Sequence, residues 1–179
     1  MKKILSIITI FLLTACSNTS MQKTPNELLL SIKDYSCVMQ ISYFSNKNKT
    51  EYHATQNYSS TGQYNMEFLD NENLKISYSN SNLTLTSSLL EKNLELINYK
   101  DLNQNPLFLS YFINTYFNSE ESNNITIVEN SVHIILPNHS NYLHSAELMF
   151  KNNLPYSLTY FDENGNAKVN IIYSEFTFI

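Results

Sequence analysis

Apolar and polar side chains alternate along much of the first half of the chain. In the clearest run, Tyr35, Cys37, Met39 and Ile41 are separated by mostly polar neighbours. A period of two is typical of a strand with one buried face. Four further runs follow, each bounded by turn residues: 52–58, 64–68, 74–78 and 83–85. Short connections between successive strands predict an antiparallel meander of five strands.

The same alternation returns in the second half of the chain. It predicts strands at 125–129, 132–136, 143–150, 156–161 and 167–178, with a strong hairpin signal, Asp-Glu-Asn-Gly, at 162–165. An antiparallel sheet of about ten strands curls or closes rather than staying flat. The predicted fold class is therefore mainly β (α+β): a curved antiparallel sheet, or half-open β-barrel, with helices as a lid.

Helices are predicted at two places. Thr24, Pro25 and Glu27 form a capping box with proline at the first helical position, which predicts a helix over 25–34. Asn and Pro at 105 and 106 carry a similar start signal for a strongly apolar helix over 105–118. Residues 88–104 are less regular, and their pattern fits either a helical turn or a loop over a sheet face.

The start of the chain has the pattern of an export signal. Lys2 and Lys3 precede an apolar stretch over 4–13, which is too short to cross about 30 Å of hydrocarbon. The segment Leu-Thr-Ala-Cys at 13–16 follows directly and has the form of a lipobox, in which Cys16 is the lipidated residue. A buried N-terminal helix with an incidental cysteine is the alternative, but it does not explain why charge, length and motif agree.

These features predict the domain organisation and the location. We expect a lipoprotein signal peptide at 1–15, a lipidated tether at 16–24 and a single β domain at 25–179. The protein is then held on the extracytoplasmic face of the cell membrane by lipid on Cys16. Loss of the two signal-peptide lysines changes the formal charge from −5 to −7. Such an acidic domain does not recruit nucleic acid, so none is expected as a partner.

Residues suited to catalysis or metal binding are scarce. No cysteine or paired acid accompanies the histidines at metal-ligand spacing, so surface histidines are the simpler interpretation. Two glycines in the whole chain are too few for a phosphate loop. Cys37 falls on the apolar face of a strand, where a small core residue is expected rather than a nucleophile. We therefore predict no enzyme, no catalytic residue, no metal and no cofactor. The histidines are His53, His133, His139 and His144.

Paired acids and tyrosines leave two further possibilities. Asp70 with Glu72, and Glu120 with Glu121, lie in predicted loops, where acids are usually solvated. The abundant tyrosines could line a groove or a partner interface, or simply cover sheet faces as good strand formers. The candidates are Tyr43, Tyr52, Tyr58, Tyr64, Tyr78, Tyr99, Tyr116 and Tyr160.

The order of short motifs carries a family resemblance. After the lipobox and the capped helix come YSCVM at 35–39, YHATQNY at 52–58 and QYNME at 63–67. LPYSL at 154–158, FDENGN at 161–166 and IYSEF at 172–176 follow. This order resembles that of the LolA-like lipoproteins of spore-forming Firmicutes, and within that group it is most similar to germination lipoproteins of the GerS type.

The resemblance implies the fold already predicted and also a function. A GerS-type lipoprotein is required for spore germination, lies in the forespore or spore membrane and is not an enzyme. It binds and activates a cortex-modifying N-acetylmuramoyl-L-alanine amidase of the CwlD type. Proteins of this type also form homodimers by exchanging a strand.

Two alternatives remain at this point. A LolA-like carrier would hold lipid or lipoprotein acyl chains in an apolar cavity of several hundred Å³ under the helix at 105–118. The chain lacks the arginine and tryptophan of soluble carriers, and a concave face filled by Met39, Met66, Phe108 and Phe112 would exclude this function. A wall-binding module would use tyrosines on glycan. An adaptor instead requires an exposed apolar or edge-strand patch.

Replacing Cys16 tests the anchor. The Cys16→Ala variant is expected to fold normally but to leave the membrane fraction, because the acyl chains supply the membrane affinity. Fractionation followed by mass analysis of the mature polypeptide measures both effects. Retention of the variant in the membrane would contradict the anchor, as would an unmodified thiol on an uncleaved wild-type chain.

Overall fold

The computed structural model describes residues 23–45, 48–70, 74–89, 91–99, 105–119, 124–137 and 142–179. The predicted signal peptide, Cys16 and the tether up to residue 22 lie outside these ranges. The described residues form two helices and eleven strands. The helices are α1 (Pro25–Ser31) and α2 (Leu109–Asn118). The strands are β1 (Tyr35–Ser45), β2 (Asn48–Ser59), β3 (Gln63–Phe68), β4 (Leu74–Ser79), β5 (Asn82–Ser87), β6 (Lys92–Leu96), β7 (Ile125–Val128), β8 (Ser131–Ile135), β9 (Ser145–Lys151), β10 (Leu154–Phe161) and β11 (Ala167–Phe178).

All eleven strands belong to one curved antiparallel sheet, as the alternation predicted. Their order is β6-β5-β4-β3-β2-β1-β11-β10-β9-β8-β7. Each half of the chain is a meander of neighbouring strands, and the pairing of β1 with β11 joins the two meanders at the centre. The sheet is open, because β6 and β7 lie at opposite edges. The predicted open, lidded sheet is confirmed, with eleven strands rather than about ten.

The helices and the inward side chains of the strands form one hydrophobic core. Inward positions alternate along β1, where Tyr35, Cys37, Met39 and Ile41 are all buried. We call this helix-covered side the concave face and the opposite side the convex face. Burial of large apolar side chains stabilises the fold by about 1.5–3 kcal/mol each. The helical members of the core are Leu28, Leu29, Leu109 and Phe112.

Helix α1 begins as predicted and ends earlier. The Thr24 hydroxyl accepts from the Glu27 N–H at 3.4 Å, while the Thr24 N–H donates to the Glu27 carboxylate at 2.8 Å, which completes the capping box. The helix ends at Ser31 rather than 34 because Ile32 has an extended backbone and its N–H bonds to the Leu29 carbonyl. This turn lets the chain enter β1.

The irregular region at 88–104 contains a sixth strand. The sequence pattern had predicted a helical turn or a loop there. Strand β6 pairs with β5, so that Leu94 lies opposite Leu85 and Leu96 opposite Leu83. Only two apolar residues alternate here, because an edge strand has little buried surface to fill. The predicted meander of five strands is therefore one of six.

The start predicted for the second helix is wrong by four residues. The Asn105 side chain accepts from the Leu107 N–H at 3.0 Å, and its carbonyl accepts from Phe108 at 3.1 Å. Asn105 and Pro106 thus form a turn, which the local side-chain hydrogen bond favours over a helix. Phe108 is the N-cap of α2 and supplies no side-chain hydrogen bond.

A buried polar network lies at the N-terminus of α2. The Tyr35 hydroxyl donates to Oε1 of Gln56 at 2.6 Å. Nε2 of Gln56 is 3.1 Å from the Tyr64 hydroxyl and 3.3 Å from the Leu107 carbonyl oxygen. The network therefore links β1, β2 and β3 to the N-terminus of α2, in a region from which water is excluded.

Removal of the Gln56 amide is expected to destabilise the protein. In Gln56→Leu, the Tyr35 hydroxyl and the Leu107 carbonyl lose their partner, and a buried unpaired group costs about 1–3 kcal/mol. Urea unfolding of both proteins measures the difference. Gln40 is the matched control, because it lies on the convex face of β1 and bonds Glu51 near solvent. Gln40→Leu should change stability by less than about 0.5 kcal/mol. Equal losses of stability in Gln56→Leu and Gln40→Leu would contradict the role of the buried network.

Candidate interaction surface

The one described cysteine is a core residue and not a nucleophile. Cys37 points into the concave face between Tyr35 and Met39 and is almost completely buried. Burial raises the pKa of its thiol to about 12. Because the thiolate is the reactive form, the thiol is inert at neutral pH. The sequence-based interpretation of Cys37 as a core residue is consistent with this environment.

The described histidines lie in separate places, and His53 is paired with an acid. Nδ1 of His53 is 2.9 Å from the Asp70 carboxylate, which also accepts the His53 backbone N–H, and these bonds lower the pKa of Asp70. His133 lies on β8, opposite Glu147 on the convex face. His144 donates its backbone N–H to the Phe161 carbonyl, at the start of β9. His139, Glu72, Glu120 and Glu121 lie outside the described residues.

The described residues contain neither a metal-ligand cluster nor a membrane-spanning helix. In this part of the chain, no three histidine, cysteine, aspartate or glutamate side chains lie close enough to hold a metal ion. No helix in the same ranges has both the length and the apolar character needed to span a membrane.

The concave face is filled by its own side chains where α2 crosses it. Met39, Met66, Phe108 and Phe112 are completely buried there. The ring centroids of Tyr64 and Phe108 are only 3.8 Å apart, so aromatic groups occupy the space that a carried acyl chain would need.

Most of the candidate tyrosines contribute to this packing rather than to an open groove. Tyr64 and Tyr160 are buried, whereas Tyr52 is exposed. The others pack against the core with partial exposure, as strand formers covering a sheet face do. These are Tyr43, Tyr58, Tyr78, Tyr99 and Tyr116.

The concave face becomes exposed towards strand β6. The cross-strand row that starts at the buried Met66 continues through Ile76 and Leu85 to Leu94, whose exposed fraction is 53%. All five residues of β6 are exposed, and no described strand pairs with its outer side. We call this part of the sheet the β6 edge.

The β6 edge carries a groove of about 310 Å³. Its walls are mainly apolar, and Lys92 provides a charge at one side. Leu96 and Ile97 extend the exposed apolar surface along the strand, and Ile97 is 71% exposed. An edge strand beside an apolar groove is suited to binding an extended segment of another protein. The lining residues are Leu74, Leu85, Ser87, Lys92, Asn93 and Leu94.

Comparison with protein families gives one match to nearly the whole chain. The family model described as "Sporulation protein YdcC-like" covers residues 1–178. A comparison with curated protein sequences finds no significant match.

Comparison with solved structures finds proteins that share this fold with TM-scores above 0.5, and others with lower similarity. The GerS lipoprotein, solved in complex with the CwlD amidase from Clostridioides difficile, is similar with a TM-score of 0.54 and 20% identity, over 88% of this chain and 98% of that chain. An uncharacterised conserved protein from Thermus thermophilus has a TM-score of 0.54 and 12% identity, over 86% of each chain. A LolA superfamily protein from Nitrosomonas europaea has a TM-score of 0.43 and 8% identity, over 88% of this chain and 94% of that chain.

Thiol labelling tests the environment assigned to Cys37. With a pKa of about 12, only about one thiol in ten thousand is ionised at pH 8, so maleimide should not react with the folded protein within minutes. The Cys16→Ala chain is suitable because it keeps Cys37 as its only thiol. Mass spectrometry should show complete labelling of the same chain in urea. Fast labelling of the folded protein would contradict the buried position.

Proposed function

Because the chain belongs to the YdcC-like family of sporulation proteins, we propose that it is a non-enzymatic lipoprotein that binds and activates a cortex-modifying amidase of the CwlD type. It is exported, lipidated on Cys16 and held on the extracytoplasmic face of the forespore or spore membrane. There it supports the cortex modification on which germination depends. The family supplies the link to sporulation, and the solved complex of GerS with CwlD suggests the class of partner.

The β6 edge is the observation that carries the proposal. It is an edge strand with exposed leucines, its outer side pairs with no described strand, and it adjoins an apolar groove. An extended segment of the amidase can pair with the backbone groups on the outer side of β6, while one of its apolar side chains enters the groove beside Leu94. Binding there needs no rearrangement of the core.

Activation follows if the lipoprotein distinguishes two states of its partner. A binding protein shifts an equilibrium only by its difference in affinity for the two states. Pairing with β6 holds the segment of the amidase in an extended conformation. Where the active state of the amidase has this segment extended, binding favours the active state over the inactive one. The lipoprotein then contributes no catalytic group of its own.

The packing of the concave face argues against the carrier alternative. A carrier needs an apolar cavity for acyl chains, whereas Met39, Met66, Phe108 and Phe112 fill the face beneath α2. The groove at the β6 edge lies outside the helix-covered region and is open to solvent. It is suited to a side chain or a short segment rather than to enclosed lipid tails.

Homodimer formation is a further part of the proposal. The edge strands β6 and β7 each have one side that pairs with no described strand. Strand exchange between two copies would add a neighbouring strand at such a side. Light scattering of the purified domain, with and without amidase, distinguishes a dimer from a one-to-one complex.

Capture from sporulating cells tests the partner. The mature lipoprotein should recover an amidase of the CwlD type, identified by mass spectrometry, and recovery of no amidase would contradict the proposed function.

Leu94→Glu tests the docking surface directly. A carboxylate beside the groove disfavours an apolar side chain, so affinity for the purified amidase should fall at least about tenfold, measured by calorimetry. Leu69 offers a matched control, since its exposed fraction is also 53% but it follows β3. Leu69→Glu should bind normally. Unchanged binding by Leu94→Glu would mean that the amidase docks elsewhere, even if the capture succeeds.

A further inference from the structure

The first described residues leave the domain at one end of the strands. Lys23, Thr24 and Pro25 border a surface depression of about 490 Å³ together with Glu129 and Asn130 of the β7–β8 turn. The segment that runs back to Cys16 therefore starts beside this turn. We call this end of the sheet the tether pole.

Strand register identifies the other parts of the tether pole. The Phe150 N–H donates to the Asn130 carbonyl at 2.8 Å, which brings the β9–β10 turn next to the β7–β8 turn. Tyr35 lies opposite both Phe178 and Tyr58, so the ends of β11 and β2 lie at the same end as the start of β1. The described turns and connections at this end are 32–34, 60–62, 80–81, 129–130 and 152–153.

A tether from Cys16 is too short to let the domain turn over. Six residues separate Cys16 from Lys23, and the seven steps between the two Cα atoms reach roughly 25 Å when fully extended. Strand β11 has twelve residues and is about 40 Å long. A lipid on Cys16 therefore keeps the tether pole within about 25 Å of the bilayer, so the domain cannot stand with the opposite end of β11 on the membrane.

The tether pole carries exposed apolar side chains where contact with a bilayer would occur. Val128, Phe178 and Ile179 are exposed there, with exposed fractions of 58%, 46% and 77%. Nζ of Lys151 lies 5.2 Å from the ring centroid of the exposed Tyr156. Tyrosine and lysine are suited to the interface, because the ring and the aliphatic stem lie in an apolar layer while the polar ends reach water.

The turns at the two ends differ in charge. Among the described turns of the tether pole, 60–62, 80–81 and 152–153 are uncharged, 129–130 contains Glu129, and 32–34 contains Lys33 and Asp34, whose charges balance. At the opposite end, the turns contain Asp70, Glu91, Asp162 and Glu163. Anionic lipid headgroups repel acids within a distance of about 10 Å, so the acidic end is favoured away from the surface.

We propose that the tether pole rests on the lipid bilayer, with Val128, Tyr156, Phe178 and Ile179 at the depth of the headgroups. This inference rests on the lipidation of Cys16 in the proposed function. The tether supplies the affinity, and the pole selects one orientation of the domain. In that orientation the outer side of β6 faces the aqueous phase laterally, where the amidase can reach it.

Fluorophores at the two ends of β11 test the orientation. The lipidated full-length mature protein is purified from membranes, its lipid is confirmed by mass, and it is reconstituted in vesicles of phosphatidylglycerol and phosphatidylethanolamine. Thr177→Cys places a label at the tether pole and Asn164→Cys places one in the β10–β11 turn. Cys37 stays unlabelled because it is buried. Spin-labelled lipid should quench the Thr177→Cys label at least about twice as strongly as the Asn164→Cys label.

A variant of the apolar surface completes the test. Val128→Ser with Phe178→Ser in the Thr177→Cys chain should reduce the quenching, while the lipid keeps the protein on the vesicles. Equal quenching at the two positions in a lipidated protein would overturn the orientation and leave the anchor intact. Absence of lipid on the purified protein would overturn the anchor itself, and the orientation with it.

Discussion

The hydrogen bonds of the buried Gln56 amide determine how the helical lid sits on the sheet. Apolar contacts between α2 and the strands are not directional, so by themselves they would allow the helix to slide. The amide must be paired because it is excluded from water, and its partners come from Tyr35, Tyr64 and the Leu107 carbonyl. This requirement places the N-terminus of α2 over β1, β2 and β3. The sheet beyond β3 is progressively exposed, which leaves the β6 edge for a partner.

Features with local causes were predictable from the sequence, and features with distant causes were not. The capping box of α1 lies within four residues, and most strands show an alternation of apolar and polar residues. The start of α1 and these strands were therefore predicted correctly. The start of α2 was missed because the buried hydrogen bond beside it joins the Leu107 carbonyl to Gln56, which is 51 positions away in the chain. Gln56 was visible as a polar residue on an apolar face, but its partners were not. Strand β6 was missed because charged residues surround its two leucines.

The candidate site depends on strand order, which the sequence pattern does not contain. Strands β6 and β7 follow each other in the chain, with α2 between them, yet they form the two opposite edges of the sheet. Leu94 is exposed because β6 is an edge, whereas a leucine in the same pattern on β1 would be buried. The position of Lys23 beside the β7–β8 turn is likewise a property of the folded sheet. Sequence motifs suggested a class of partner for the proposed function but no surface for it.

The central pairing of β1 with β11 has a consequence for how the chain acquires its structure as it is made. The Ser174 hydroxyl and the Val38 carbonyl oxygen, 3.5 Å apart, are separated by 136 positions. Synthesis from the N-terminus delivers β1 early and β11 last of the described strands, so one side of β1 stays without its neighbour until synthesis is nearly finished. Such long-range closure makes folding slow. The half-assembled sheet is consequently vulnerable to proteases and to wrong partners until the final strand emerges.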